Sequence, residues 1–206
     1  MAADLATTRR SLHVVAELVL AGPQFRTHDD IRLRVRPGGF GTVAGPDVRV
    51  VGAAVRRDDV IVPIDGATPA GLAKQLGLEA RGLDDVYHGG TNASADEVLT
   101  ASPDHAAYLA ACYVAGDAAL ARFAPDAERV LWPEHFDVGI RVDDVNYGIS
   151  PGDDAVPEPY AYVGPDEVPG GPFWNAPFGA MLRLGTEPSV DAIVAFFTQG
   201  RDAVRG

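Results

Sequence analysis

His135 and Asp137 are the pair whose types and spacing are best suited to chemistry. They lie in the run Leu131-Trp132-Pro133-Glu134-His135-Phe136-Asp137. If that run is extended, two residues separate side chains that point the same way, roughly 6.5–7 Å apart at Cα. An imidazole and a carboxylate so placed can share one metal or one substrate, or the carboxylate can orient the ring for general acid–base work. Arg141, further along the same face, can clamp an anion bidentately. A solvated sheet surface carrying a weak ion pair would show the same pattern, so the residue types alone do not make a site.

These side chains need strands to position them. Phe136, Val138, Ile140 and Val142 alternate with His135, Asp137, Gly139 and Arg141, which predicts a strand with one buried and one wet face. Val145, Tyr147 and Ile149 predict a second strand, with Asn146 and Gly148 on its other face. Asp143-Asp144 between them suits a two-residue hairpin turn, less well than Asn-Gly would. Ser150-Pro151-Gly152-Asp153 reads as a tight turn, and Tyr160 and Tyr162 share one face of a third strand.

Other candidates are weaker. Asp143, Asp144, Asp153, Asp154 and Asn146 offer oxygens for a hard cation, but not at EF-hand spacing, and no metal site is assigned. His88, beside Gly89-Gly90, fits an exposed loop. Trp174-Asn175, between glycine and proline turns, lacks the periodicity of a core segment and suits the wall of an apolar pocket with one polar fixing point. The expected ligand-binding set is therefore Arg141, Asn146, Tyr160, Tyr162, Trp174 and Asn175, around His135 and Asp137. The chain has no phosphate loop, dinucleotide fingerprint, nucleophile elbow or His-Glu-x-x-His, and no cofactor is implied.

Four segments carry a resemblance. Leu131–Asp137, the run from Asn146 to Asp153, Pro157–Pro165 and Phe173–Ala180 resemble the signature segments of an uncharacterised bacterial protein family, a domain of unknown function. The resemblance is specific over roughly the C-terminal third and implies no activity or catalytic residue.

Composition narrows the function classes. A net charge of −12 argues against nucleic acid and against an anionic membrane surface as partners. Cys112 is the only cysteine, so no intramolecular disulfide and no ordinary thiolate zinc site can form. It falls within an apolar helical pattern and reads as a small core residue, suited to a reducing cytosol. Thr8-Arg9-Arg10-Ser11-Leu12 resembles a twin-arginine signal, yet His13 and Glu17 interrupt the apolar run. Leu12, Val15, Ala16 and Val19 instead predict an amphipathic helix, and the expected location is cytoplasmic.

The remaining pattern sets the fold class. A helix from about Thr7 to Leu20 is expected to stop at Gly22-Pro23. Strands follow over Ile31–Arg36, Phe40–Val43, Val48–Val55 and Val60–Ile64, as an antiparallel meander. Thr68-Pro69 opens a short helix, and Gly82 to Ser94 is a polar loop. Ser102-Pro103-Asp104 begins the strongest helix, which Pro125 ends. Within it Gly116 is expected to admit a close neighbour. Phe178–Leu184 is a further strand, and Ser189 caps the last helix. No linker or repeat breaks the chain, so a single α+β domain over residues 1–206 is expected, with antiparallel sheet packed by about four helices. The functional expectation is a small-molecule pocket near residues 129–165, with general acid–base chemistry. The alternative is a non-catalytic ligand-binding or protein-interaction module. The ligand and the oligomeric state are not legible in the sequence.

Overall fold

The first helix breaks the expected stop signal. In the computed structural model, which describes residues 4–206, α1 (Leu5–Val15) runs on through a π-helical stretch (Ala16–Ala21) into α2 (Gly22–His28). Gly22-Pro23 therefore does not end the helix. In the π pattern the Gly22 N–H bonds the Glu17 carbonyl, five residues back. The next donor in that pattern would be Pro23, which has no N–H, so the Leu18 carbonyl instead accepts from the Arg81 N–H at 2.9 Å. Gly22 permits this approach, because a Cβ there would lie 1.8 Å from the Arg81 carbonyl oxygen.

Two compact units divide the chain. Among the described residues, the first comprises 4–111 and 131–136, the second 112–130 and 137–206. The class is α+β, and neighbouring strands pair antiparallel in both units.

In the first unit, β1 (Leu33–Arg36), β2 (Gly39–Thr42), β3 (Val48–Val51), β4 (Ala54–Arg57) and β5 (Val60–Pro63) form the expected meander. Beyond β1 lies β6 (Val130–Trp132), with Leu131 opposite Leu33. The strand expected over Val48–Val55 is two strands. Gly52, at φ 56°, turns the chain between them, and Val50 faces Val55 across the hairpin. On the inner face Phe40, Val50, Val55 and Val62 are buried, as are Leu12, Val15 and Val19 of the first helix. Helix α3 (Pro69–Gln75) is capped by Thr68, whose hydroxyl accepts from Gly71 N–H at 3.1 Å.

The second unit holds β7 (Asp137–Val142), β8 (Val145–Ser150), β9 (Tyr160–Pro165), β10 (Ala180–Arg183) and α5 (Val190–Arg205), with the latter part of α4 (Pro103–Phe123). The β7–β8 hairpin closes through Asp143 and Asp144, both at positive φ (51° and 61°), the signature of a type I′ turn. Val138, Ile140, Tyr147, Ile149 and Val163 are buried on its inner face, as are Ile193 and Phe197 of α5. Tyr147 meets Phe123 at 4.7 Å between ring centroids and Phe197 at 5.7 Å. Gly116 of α4 backs onto Ile149: a Cβ at this position would lie 2.0 Å from Ile149 Cγ1.

Candidate functional site on the second sheet

Register brings the predicted polar residues of the second unit onto one sheet face. Gly139 lies opposite Gly148, and Gly148 opposite Tyr162. One step along, Arg141 faces Asn146, and in the other direction Ser150 faces Tyr160. Asp137 shares this face by its parity with Gly139 and Arg141. Asp137, Arg141, Asn146, Tyr160 and Tyr162 are thus on a common surface.

Two adjacent glycines shape this face. With no side chain on Gly139 or Gly148, the Tyr162 ring lies flat across β8 towards β7. A Cβ on Gly148 would stand 2.5 Å from Tyr162 Cζ, and one on Gly139 2.9 Å from its Oη. The phenol therefore reaches Asp137 and donates a hydrogen bond to Oδ2. Burial, reinforced by the Asp137 charge and hydrogen bond, holds the Tyr162 phenol well above its ordinary pKa. The Tyr162 phenol consequently stays neutral near pH 7 and is the donor of the pair, with Asp137 Oδ2 as its acceptor. Tyr160 repeats the arrangement: its Oη donates to Asp153 Oδ2 at 2.8 Å, and burial raises its pKa to about 12.

The other expected site residues have different surroundings. His135 does not lie on a strand. Pro133–Phe136 is a turn, closed by Phe136 N–H to the Trp132 carbonyl at 2.8 Å, with Phe136 at φ 54°. The expected strand therefore begins at Asp137, and the shared strand face of His135 and Asp137 is corrected. His135 belongs to the first unit, with a side chain 68% exposed and Glu134 at 3.8 Å. Arg141 is already paired, with Asp166 at 2.8 Å and Asp144 at 3.3 Å. Asn175 spends its amide on backbone: Nδ2 donates to the Met181 carbonyl and Oδ1 accepts from Met181 N–H. It acts as a side-chain partner for β10. Trp174 stacks edge-on against Phe173 at 5.0 Å. Asp143 is paired with Arg205 at 3.1 Å. Asp153 accepts from Ala155 and Val156 N–H, so it organises its own turn. Among the described residues, no three His, Cys, Asp or Glu side chains are arranged to hold a metal ion. No helix among them is long and apolar enough to cross a membrane.

No protein family, characterised protein or solved structure matches the chain.

The first unit contains a second polar cluster that periodicity did not single out. Glu17 sits in the π stretch, 2% exposed. Its carboxylate accepts from Tyr87 Oη at 3.0 Å, from Thr91 N–H at 2.9 Å and from Thr91 Oγ1 at 2.5 Å. Burial and the Glu17 charge push the Tyr87 phenol far up. One turn earlier, His13 donates from Nε2 to the Pro133 carbonyl at 2.7 Å and stacks on Phe136 at 5.0 Å. Burial lowers its pKa. Glu17 and His13 stand four residues apart in the otherwise apolar run Leu12–Ala21, and that spacing was the available signal. Every polar atom of the Glu17 head is engaged in tying the 82–94 loop to the helix, which identifies the cluster as an anchor.

Proposed function

We propose that this protein binds a small polar molecule on the outer face of the second unit's sheet, with Asp137 as the accepting carboxylate and Tyr162 as its neutral partner. The observation that carries this reading is the Tyr162–Asp137 hydrogen bond laid over Gly139 and Gly148. Residues of three strands converge there, where the two glycines make room for the Tyr162 ring. An ionised carboxylate only accepts hydrogen bonds, so the fitting ligand presents a donor, such as an amine or hydroxyl group. Should chemistry occur there, Asp137 is the general base, and Tyr162 remains protonated and orients it. The same reading places the protein in the cytoplasm, on the strength of its single buried cysteine. It also assigns the chain to the uncharacterised bacterial family that its four segments resemble.

The test is native mass spectrometry of the purified protein, followed by a thermal-shift panel of small amines and alcohols. A bound compound should lose affinity about tenfold or more in Asp137→Asn, as expected for a hydrogen bond to a charged group. Tyr162→Phe should weaken it less. Binding that is indifferent to both substitutions would sink the proposal.

A further inference from the structure

The outer face of the first unit's sheet carries a concentration of positive charge at odds with a chain of net charge −12. Register puts Arg34, Gly41, Arg49, Arg56 and Ile61 in one row across β1 to β5. The adjacent row reads Arg36, Gly39, Val51, Ala54 and Pro63. Four arginines therefore share one face, which spans roughly 19 Å over four strand spacings. The opposite face is the buried one, so these side chains point to solvent.

Local acids do not neutralise this face. Asp47 is bidentate to Arg49 and lies 3.9 Å from Arg36. Arg56 donates from Nε to the Asp58 backbone carbonyl, not to its carboxylate. Arg34 makes no ion pair among the described residues. Gly41 lets the stems close in: a Cβ there would lie 3.2 Å from Arg49 Cγ and 3.5 Å from Arg36 Cγ. Arg36 Nε is buried with no hydrogen-bond partner. Desolvation, with Arg34 and Arg49 nearby, also lowers the Arg36 pKa. Four like charges are thus held together in the free protein with one carboxylate, Asp47, between them, an arrangement that a bound anion would relieve.

We propose that this face docks an acidic protein segment in which carboxylates alternate with aliphatic side chains. The carboxylates meet Arg34, Arg36, Arg49 and Arg56. The aliphatic groups meet Val51, 44% exposed, and Ile61, 63% exposed, on the same two rows. Arginine beside exposed aliphatic area is the composition of an interface core more than of a simple anion site. A free phosphate would leave Val51 and Ile61 uncovered. A nucleic acid would extend its charge past the patch onto the acidic remainder of the surface. A short segment stays within the patch, and charges beyond about 8 Å are largely screened at physiological salt.

Fluorescence anisotropy with a short labelled peptide alternating glutamate and valine tests this. Saturable binding that weakens with salt is expected, reduced about tenfold or more by Arg34→Glu and by Arg56→Glu. Arg122→Glu, on α4, should leave it unchanged. Arg34→Gln removes the charge without adding repulsion, and a far-UV spectrum verifies folding of each variant. No binding, or equal binding by Arg34→Glu and the parent, would overturn the proposal. So would equal affinity for a glutamate–glycine peptide or for inorganic phosphate, which would mark a plain anion site. Tighter binding of single-stranded DNA would also overturn it. These outcomes are independent of Asp137→Asn and Tyr162→Phe.

Discussion

Replacing Gly116 with alanine should destabilise this protein, although alanine is the better helix former. In an exposed helix interior, Gly→Ala gains about 1 kcal/mol. Here the added methyl would stand 2.0 Å from Ile149 Cγ1 and 3.0 Å from both Cβ and Cδ1. Ile149 is fully buried and β-branched, so it has few rotamers into which to retreat. Overpacking of this kind costs about 1–3 kcal/mol. The balance is a loss of about 1 kcal/mol, or about 2–4 °C in Tm for a chain of this size. Ile149→Ala alone should cost about 2–5 kcal/mol. In that background Cγ1 and Cδ1 are gone, only Cβ remains close, at 3.0 Å, and with a shift of a few tenths of an ångström the methyl at 116 fills vacated space while keeping its helical gain. There Gly116→Ala should stabilise, by about 1 kcal/mol or more. The coupling across the cycle is then about 2–3 kcal/mol, read from urea unfolding of the four proteins. Additive effects, or a single Gly116→Ala that gains the full helical increment, would refute the close approach of α4 to β8.

The Cys112 thiol is 1% exposed, and a maleimide should label it only on unfolding; rapid labelling of the native protein would contradict its core position. Val138→Asp should be severely destabilising, by several kcal/mol, because it buries an unpaired charge. His135→Ala, at an exposed turn, should stay within about 0.5 kcal/mol, and thermal melts separate the two. Because burial depresses the His13 pKa, the unfolded chain binds that proton first as pH drops. Stability from His13 is complete above about pH 6.5 and lost as pH falls through the folded value, so His13→Gln should flatten the acid limb of a Tm–pH profile. Tyr160, raised to about 12 from an ordinary value near 10, acts in the opposite sense: stability is lost between those two values as pH rises, by about 3 kcal/mol. Tyr160→Phe should reduce that alkaline loss.

Period and cap chemistry made much of the fold legible. Alternation located β7 and β8 with the correct buried face, and the Asp143-Asp144 turn closes them. Thr68 and Ser189 cap the helices they precede. The failures share a cause: a local signal was overruled by a partner distant in sequence. Gly22-Pro23 reads as a stop, but Arg81 satisfies the Leu18 carbonyl. Phe136 continues an alternation, yet it is held in a turn, stacked against His13 and edge-on to Phe40. Val48–Val55 reads as one apolar run, and only Gly52 within it signals the hairpin. For the site, parity put Asp137 and Arg141 on one face of β7 and Tyr160 and Tyr162 on one face of β9, and strand pairing joined the two. The hydrogen bond between Asp137 and Tyr162 depends on strand register and on Gly139 and Gly148, which a pattern of apolar and polar positions does not resolve. The arginine face was half visible, as alternation at Arg32, Arg34 and Arg36. Arg49 and Arg56 join it only once the meander is paired.

The π stretch also sets an angular phase along the first helix. In a regular α-helix, residues seven apart return to within roughly 20° of the same direction. Glu17 and Gln24 are such a pair, and both are buried. Each π turn absorbs one residue, so these seven steps advance the chain as about six would, and the two side chains diverge by roughly 120°. Glu17 can then hold Tyr87 and Thr91 while Gln24 binds the carbonyls of Asp30 and Arg32 and the N–H groups of Val43 and Ala44. One widened turn lets a single helix serve as an axle for two different loops. Straightening it to α geometry would aim both anchors the same way and release one of them.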